Sequence, residues 1–356
     1  MSEYKLRIHT LKDHSEVSFF SEKDVFEVKA EFDFQKASDI ARIYYGEESE
    51  GSKTILNEIE SKYLSGRSVR HHGSIFSIML RAVGEYMFRE LLPSEIINKI
   101  LSIPKDSLLL LDLNTGAALI PWEYMYTGTN FLSLDYIIGR SEQESSVSHS
   151  HRFSSTIPML IVSNPTGDLK ATQGETNYII NQLRGSNIRP TRYGQEITKI
   201  QYASLLKSGK FDIVHYSGHS ASSMIPGESF HVFRDGPLFG REIETLSSNM
   251  MPKLVFCNSC QSGESSIGKE MTGNSSLSSC YLKAGVGACI GAIWPVSDIG
   301  SADFASNVYR YILFGSTIGE AMLRSKRNSF KRWGYQDMVW SSFLLFGDPN
   351  IKIAYY

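Results

Sequence analysis

FDIVHYSGHS (Phe211 to Ser220) and KLVFCNSCQSG (Lys253 to Gly263) are the two stretches that decide the fold. Each begins as a short apolar run suited to a buried strand and then breaks into small and polar residues. His219 therefore falls just past one strand and Cys260 just past another. Outward from this pair, strand-like and helical runs alternate. MLIVS precedes Glu175 to Leu183, IRPTRY precedes Ile197 to Leu206, and FDIVHY precedes Arg241 to Leu246. KLVFC then precedes Ser276 to Lys283, and GACIGAIW precedes Ala302 to Phe314. Strand followed by helix over short connections predicts an α/β fold with an open, mainly parallel sheet and helices on both faces, because a parallel crossover needs a helix's length to return. SFLLFGDPN, after a helix holding Ala321, Met322 and Leu323, supplies a further strand that closes the sheet at one edge.

The first part of the chain reads differently. Tyr4, Leu6 and Ile8, and then Phe26, Val28, Ala30 and Phe32, alternate as short strands. Phe76, Met79, Leu80, Val83, Met87 and Leu91 have helical spacing, and Pro93 stops that helix. Leu108 to Leu113, interrupted only by Asp112, is a buried strand, followed by a turn at Asn114 to Gly116 and a second run into Pro121. The polar stretch from Ser141 to Ser155 reads as a linker or loop. The expected division is a smaller N-terminal β and α/β part over residues 1–150 and a catalytic domain over 151–356. No repeat of solenoid length is present.

Composition narrows the partners. The 36 basic and 38 acidic residues of this 356-residue chain leave a net charge of -2, without the basic footprint of a nucleic-acid or anionic-membrane binder. No apolar stretch approaches the roughly 20 residues that span a bilayer, and MSEYKLRIHTLKDHSE lacks the apolar core of a signal peptide. The expected location is cytoplasmic. All four cysteines fall in the last third and read as reduced thiols. Cys257 and Cys260 have CxxC spacing, but no second pair completes a zinc site and a thioredoxin-like pair should open a helix early in the domain, so no metal or other cofactor chemistry is expected at this pair.

In an open parallel sheet, ligands bind outside the carboxyl ends of the strands. A thiol with an ordinary pKa near ~8.5 is mostly protonated at neutral pH, and an imidazole beside it makes it a usable nucleophile. His215 lies four residues before His219, but that spacing brings two rings together on one face, close enough to share a metal, only in a helix. On a strand it reads as a hydrogen-bonded structural histidine.

IPWEYM, SNPTGDL, HYSGHS, FCNSCQSG, GVGACIGAIWPVSD and FLLFGDPN stand in an order and at spacings that resemble the CHAT family, caspase-like clan CD cysteine peptidases related to separase. The resemblance implies a caspase-haemoglobinase fold, with His219 as general base and Cys260 as nucleophile, Cys257 remaining inside its strand. It places the oxyanion hole at the backbone N–H groups of Ser220 and Cys260, although family members usually carry glycine where this chain has Ser220. AIWPVSDIGSADF resembles the segment in which an acidic residue lines the specificity pocket. That residue is Asp298 here, which favours Arg or Lys on the acyl side of the scissile bond, and Asp168 is a second candidate for the same pocket wall.

Structural readings stand beside these. Asp298 also suits the cap of a helix that begins near Ser301. Trp122 and Glu123 read as anchors of the N-terminal half against the catalytic sheet, and Trp294 as core. By family analogy the protein is an endopeptidase that cleaves one partner protein in bacterial defence or regulated cell death, such as a pore-forming gasdermin or a CRISPR-linked target, under an activating partner. The alternative is a catalytically silent CHAT scaffold or regulatory module.

Overall fold

The computed structural model describes residues 2–10, 15–21, 24–30, 39–40, 42–43, 49–64, 75–118, 120–141, 155–169, 171–221, 227–259, 273–293 and 297–354. Cys260, Gly263, Trp294, Phe32 and nearly all of the expected 141–155 linker lie outside them. The chain divides into two compact units, Met1–Gln143 with Trp333–Gln336, and Glu144–Arg332 with Asp337–Tyr356.

In the first unit, β1 (Glu3–Thr10), β2 (Ser15–Ser21) and β3 (Asp24–Ala30) form an antiparallel meander. Among the described residues the longer helices that follow are α1 (Glu50–Ile59), α2 (Ile75–Glu90) and α3 (Ser94–Leu101). β4 (Leu108–Leu113) then lies parallel to β1, and β5 (Ile137–Ser141) parallel to β4, giving the order β3-β2-β1-β4-β5. The apolar spacing in α2 turns Val83 and Met87 toward a core shared with Leu6, Ile8, Leu109 and Leu111. α2 ends before Pro93, as expected.

Asp112, the one break in the apolar run of β4, faces Arg7 across the ladder and bonds Arg7 at 2.9 Å and Lys5 at 3.0 Å. Burial pushes its carboxyl up, but the hydrogen bonds and charges of Arg7 and Lys5 outweigh that and keep it below the usual range.

The run into Pro121 is not a strand. A short helix, Thr115–Ala118, is followed by Pro121 and a 3-10 turn at Trp122–Tyr124. Asn114 starts the helix by accepting from the Ala117 N–H at 3.2 Å, and Pro121 has no N–H to offer a ladder. On the side of β4 away from β1 the parallel neighbour is β5 instead, whose Arg140 is buried among backbone carbonyls. Trp122 sits in the core of this unit and donates to Ala117 O at 2.7 Å. Glu123 receives Arg140 on both oxygens at 2.7 Å, while Arg140 also reaches Ala118 O and Ile120 O.

The second unit begins with β6 (Ile157–Ser163), α4 (Ala171–Gln182), β7 (Ile188–Tyr193), α5 (Lys199–Leu206) and β8 (Ile213–Ser217). A small antiparallel sheet of β9 (Ser220–Ala221), β10 (Phe230–Phe233) and β11 (Gly236–Phe239) follows, then α6 (Gly240–Glu244). β12 (Leu254–Cys257), α7 (Gly273–Lys283), β13 (Ala288–Ala292), α8 (Asp298–Leu313), α9 (Ile318–Trp333) and β14 (Phe343–Gly347) complete it. The order is β14-β13-β12-β8-β6-β7, parallel except for β14 against β13. The strand and helix alternation read from residue 159 onward is thus present as a mainly parallel α/β sheet. Among the described residues no helix is long and apolar enough to cross a membrane.

The Arg140–Glu123 pair supplies a stability test. Both side chains are buried, so removing one partner strands a charge, at a cost of about 3–5 kcal/mol. Arg140→Met is expected to lower the urea midpoint of the first unit steeply, and Arg140→Met with Glu123→Leu to recover most of the loss. An unchanged midpoint in the single variant contradicts this account.

Candidate active site

Chain order turns back at β6: β7 lies on one side of it, and β8, β12 and β13 follow on the other. Such a reversal opens a crevice at the carboxyl ends of the two strands that flank it. The loop after β6 and the turn after β8 therefore meet, and each carries a titratable residue.

After β6, Asn164 adopts a left-handed backbone (φ 53°), and its N–H donates to Ser217 O at 2.8 Å. Its side-chain oxygen accepts from the N–H groups of Gly167 at 2.9 Å and Leu169 at 3.0 Å, closing the NPTGD loop on itself. That closure presents Asp168. One carboxylate oxygen accepts from the Thr166 hydroxyl at 2.5 Å, and the other lies 2.9 Å from His219 Nε2. The Thr166 bond, and then His219, hold Asp168 below the ordinary carboxylate range although it is largely exposed. Asp168 thus stands against the imidazole and is absent from the acidic cavity described below. With Nε2–H donating to Asp168, Nδ1 is the nitrogen left to accept a proton.

The turn to His219 is tight. A Cβ on Gly218 would meet Tyr216 Oη at 2.8 Å and Pro165 Cδ at 2.9 Å, so a larger residue would push the turn off its neighbours. The Tyr216 hydroxyl lies 2.8 Å from His219 O and 3.0 Å from Val232 O and shares its proton between them. Burial keeps that phenol protonated.

Ser220 pairs with His231 in the β9–β10 ladder, and Val232 N–H donates to His219 O at 2.9 Å. Hydrogen-bonded and non-hydrogen-bonded pairs alternate in an antiparallel ladder, so the Ser220–His231 pair is of the second kind and the Ser220 N–H points away from β10. Side chains approach closely in such pairs, and Ser220 Oγ lies 2.6 Å from His231 Nδ1. Burial lowers His231 to about 3, so it stays neutral. The serine in place of glycine has a negative φ, and its hydroxyl is occupied beneath the turn.

A second centre lies under the strand ends. Glu175, buried on α4, accepts from His215 Nε2 at 3.1 Å and Asn258 Nδ2 at 2.5 Å on one oxygen, and from Ser217 Oγ at 2.6 Å on the other. Tyr309 meets His215 Nδ1 at 2.7 Å, and burial keeps its hydroxyl protonated. His215 is thus a hydrogen-bonded core residue. Ser217 precedes His219 by two residues, and Asn258 precedes Cys260 by two.

Glu175 also lines a cavity of about 330 Å3 with Tyr178, Asp298, Ile299, Asp303 and Arg332. Arg332 pairs with Asp303 at 2.9 Å, and the Tyr178 hydroxyl reaches the same carboxylate oxygen. Asp298 has no hydrogen bond or ion pair to its carboxylate among the described residues. It is not the helix cap: Ser297 caps α8 by accepting from Gly300 N–H at 3.0 Å, and Asp298 is the first helical residue. Burial, and then the negative charge of Glu175, push Asp298 above the ordinary aspartate value.

The structure therefore brings His219, Ser220 and Asp168 together at one rim and puts Asp298 in the acidic cavity. Cys260 is outside the described residues, but Asn258 and Ser259 carry the chain past the end of β12 on the same rim. Cys257 is a buried strand residue whose thiol is kept protonated by its bond to Cys289 and by burial. Glu175, Ser217, Asn258 and His231 were not legible as site residues. For Glu175 a signal existed, because it shares a helical face with the buried Ile179 and Leu183, where a carboxylate needs a reason.

No curated protein matches the chain in sequence. Two solved structures of the Saccharomyces cerevisiae separase–securin complex resemble it, at 12% identity with a TM-score of 0.53 and at 11% with 0.54. Each match covers 97% of this chain and 30% of the matched chain, so the chain spans about 30% of that protein's length and the likeness is one of fold. The model of the CHAT domain matches residues 81–348. This chain belongs to the CHAT domain family, on a separase-like, caspase-like α/β scaffold.

Proposed function

We propose that the protein is a cysteine endopeptidase that cleaves a partner protein after a basic residue. The observation that carries this reading is the His219–Asp168 pair at the sheet's switch point, on the rim that β12 reaches just before Cys260. In the mechanism, His219 takes the Cys260 proton and the thiolate attacks the scissile carbonyl carbon, forming a C–S bond. The oxyanion is met by the N–H groups of Ser220 and Cys260. Collapse breaks the C–N bond, and His219 returns the proton to the departing amine. Water, losing a proton to His219, then hydrolyses the thioester. Asp168 orients the imidazole through its bond to Nε2. A substrate guanidinium or ammonium enters the acidic cavity toward Asp298, whose carboxylate is the one left without a partner there among the described residues. By family analogy the substrate is a single partner protein of a bacterial defence or cell-death system, in the cytoplasm, under an activating signal. A silent scaffold is the reading that Ser220 favours, and turnover separates the two.

A fluorogenic peptide ending in Arg, with candidate activators, is expected to be cleaved by the wild type and at least ~10^4-fold more slowly by Cys260→Ala. New protein termini after expression of the two forms would identify the partner. Turnover by neither form, and no new termini, would support the scaffold.

Asp168→Asn is expected to lower kcat by about tenfold or more, short of the ~10^4 lost at a buried triad carboxylate, because Asp168 is solvated. Unchanged kcat would remove Asp168 from the mechanism.

Asp298→Asn is expected to cut the preference for Arg over citrulline about 10- to 100-fold, the worth of one charge-assisted hydrogen bond. Only the ionised Asp298 attracts the cation and its pKa is raised, so the wild-type preference should grow as pH rises through a range above the ordinary value of 3.8. A preference independent of pH, or unaltered by the substitution, contradicts the assignment.

A further inference from the structure

We propose that Glu175 is a positioning residue that couples a cation in the acidic cavity to the two strand ends leading to His219 and Cys260, an inference that rests on the peptidase reading above. Glu175 belongs to both places. It lines the cavity with Asp298, and it accepts from Ser217 at the end of β8 and Asn258 beyond the end of β12. An ionised carboxylate offers about four acceptor positions. Among the described residues His215, Asn258 and Ser217 fill three, and the fourth is the one that a donor arriving through the cavity would take.

Occupation of that position alters the balance. The like charges of Asp298 and Glu175 repel one another. A guanidinium between them presents parallel N–H edges to both carboxylates and relieves the repulsion. The Glu175 side chain is then held in one rotamer from both sides, and so are the Ser217 and Asn258 side chains that donate to it. Each of those residues lies two positions before a member of the dyad. The correct side chain in the cavity thereby orders the turn that bears His219 and the chain that leads to Cys260. Asp298 contributes to affinity, whereas Glu175 contributes to the rate once substrate is bound.

The probe is methylguanidine, which enters the cavity without reaching the reacting atoms. The readout is the rate of Cys260 modification by iodoacetamide, followed by mass spectrometry of the intact chain. Saturating methylguanidine is expected to accelerate modification several-fold in the wild type. In Glu175→Gln, whose amide oxygen can still accept from His215 and Asn258 while its NH2 donates to Ser217, the acceleration should disappear with little change in Tm. Against an Arg peptide, Glu175→Gln should lose about tenfold in kcat with a smaller change in KM, and Asp298→Asn should show the reverse. Should Glu175→Gln fold poorly, Ser217→Ala keeps the charge and breaks one link, and it should lose part of the acceleration. Binding of methylguanidine without acceleration in the wild type, or equal acceleration in Glu175→Gln, overturns the coupling alone. Absence of binding, seen as no inhibition of peptide cleavage and no thermal shift, overturns the coupling together with the basic-residue specificity.

Discussion

A buried carboxylate held by donors that converge on it from two strand ends organises this site. Glu175 cannot sit ionised beneath a parallel sheet unless donors converge on it, and those donors come from β8 and from the residue that follows β12. The convergence fixes the spacing of the two strand ends by electrostatics as well as by backbone ladders. It also explains polar residues, Ser217 and Asn258, at the ends of otherwise apolar strands. Replacing any one donor would leave the others facing an underpaired anion.

Around that anchor the surface residues fall into complementary tasks. The Asn164 loop presents Asp168 to His219, and Gly218 with Tyr216 sets the turn that carries the imidazole. His231 occupies the Ser220 hydroxyl and leaves the backbone N–H directed outward, so the serine that departs from the family's glycine is accommodated without a positive φ. In the cavity, Asp303 is neutralised by Arg332, while the Asp298 carboxylate has no partner among the described residues. In the proposed peptidase that carboxylate is the group that would meet a cationic substrate side chain.

Much of this was legible in the sequence because it depends on local pattern. Apolar runs ending in HYSGHS and FCNS mark strands with chemistry at their carboxyl ends, and the second unit follows the strand and helix alternation read from them. Asp298 was legible as a charge after a strand, but only coordinates separate it from the cap, which Ser297 supplies one residue earlier. β5 was missed because IIGRS carries a buried arginine, and its compensation by Glu123 is distant in sequence. The β10–β11 hairpin had a readable signal in Asp235-Gly236, with Gly236 at φ 123°, between short apolar runs. The Glu175 network and the meeting of Asp168 with His219 are products of strand order, which no window of sequence contains.

The account depends on the Cys260 thiol meeting the His219 imidazole, and the pH dependence of Cys260 alkylation by iodoacetamide tests that most directly. The wild type should react with a thiolate limb well below the ordinary thiol pKa near ~8.5, and His219→Ala should shift that limb up to it. Superimposable profiles in the two proteins, both with an ordinary thiol limb, would contradict the dyad and the peptidase reading with it.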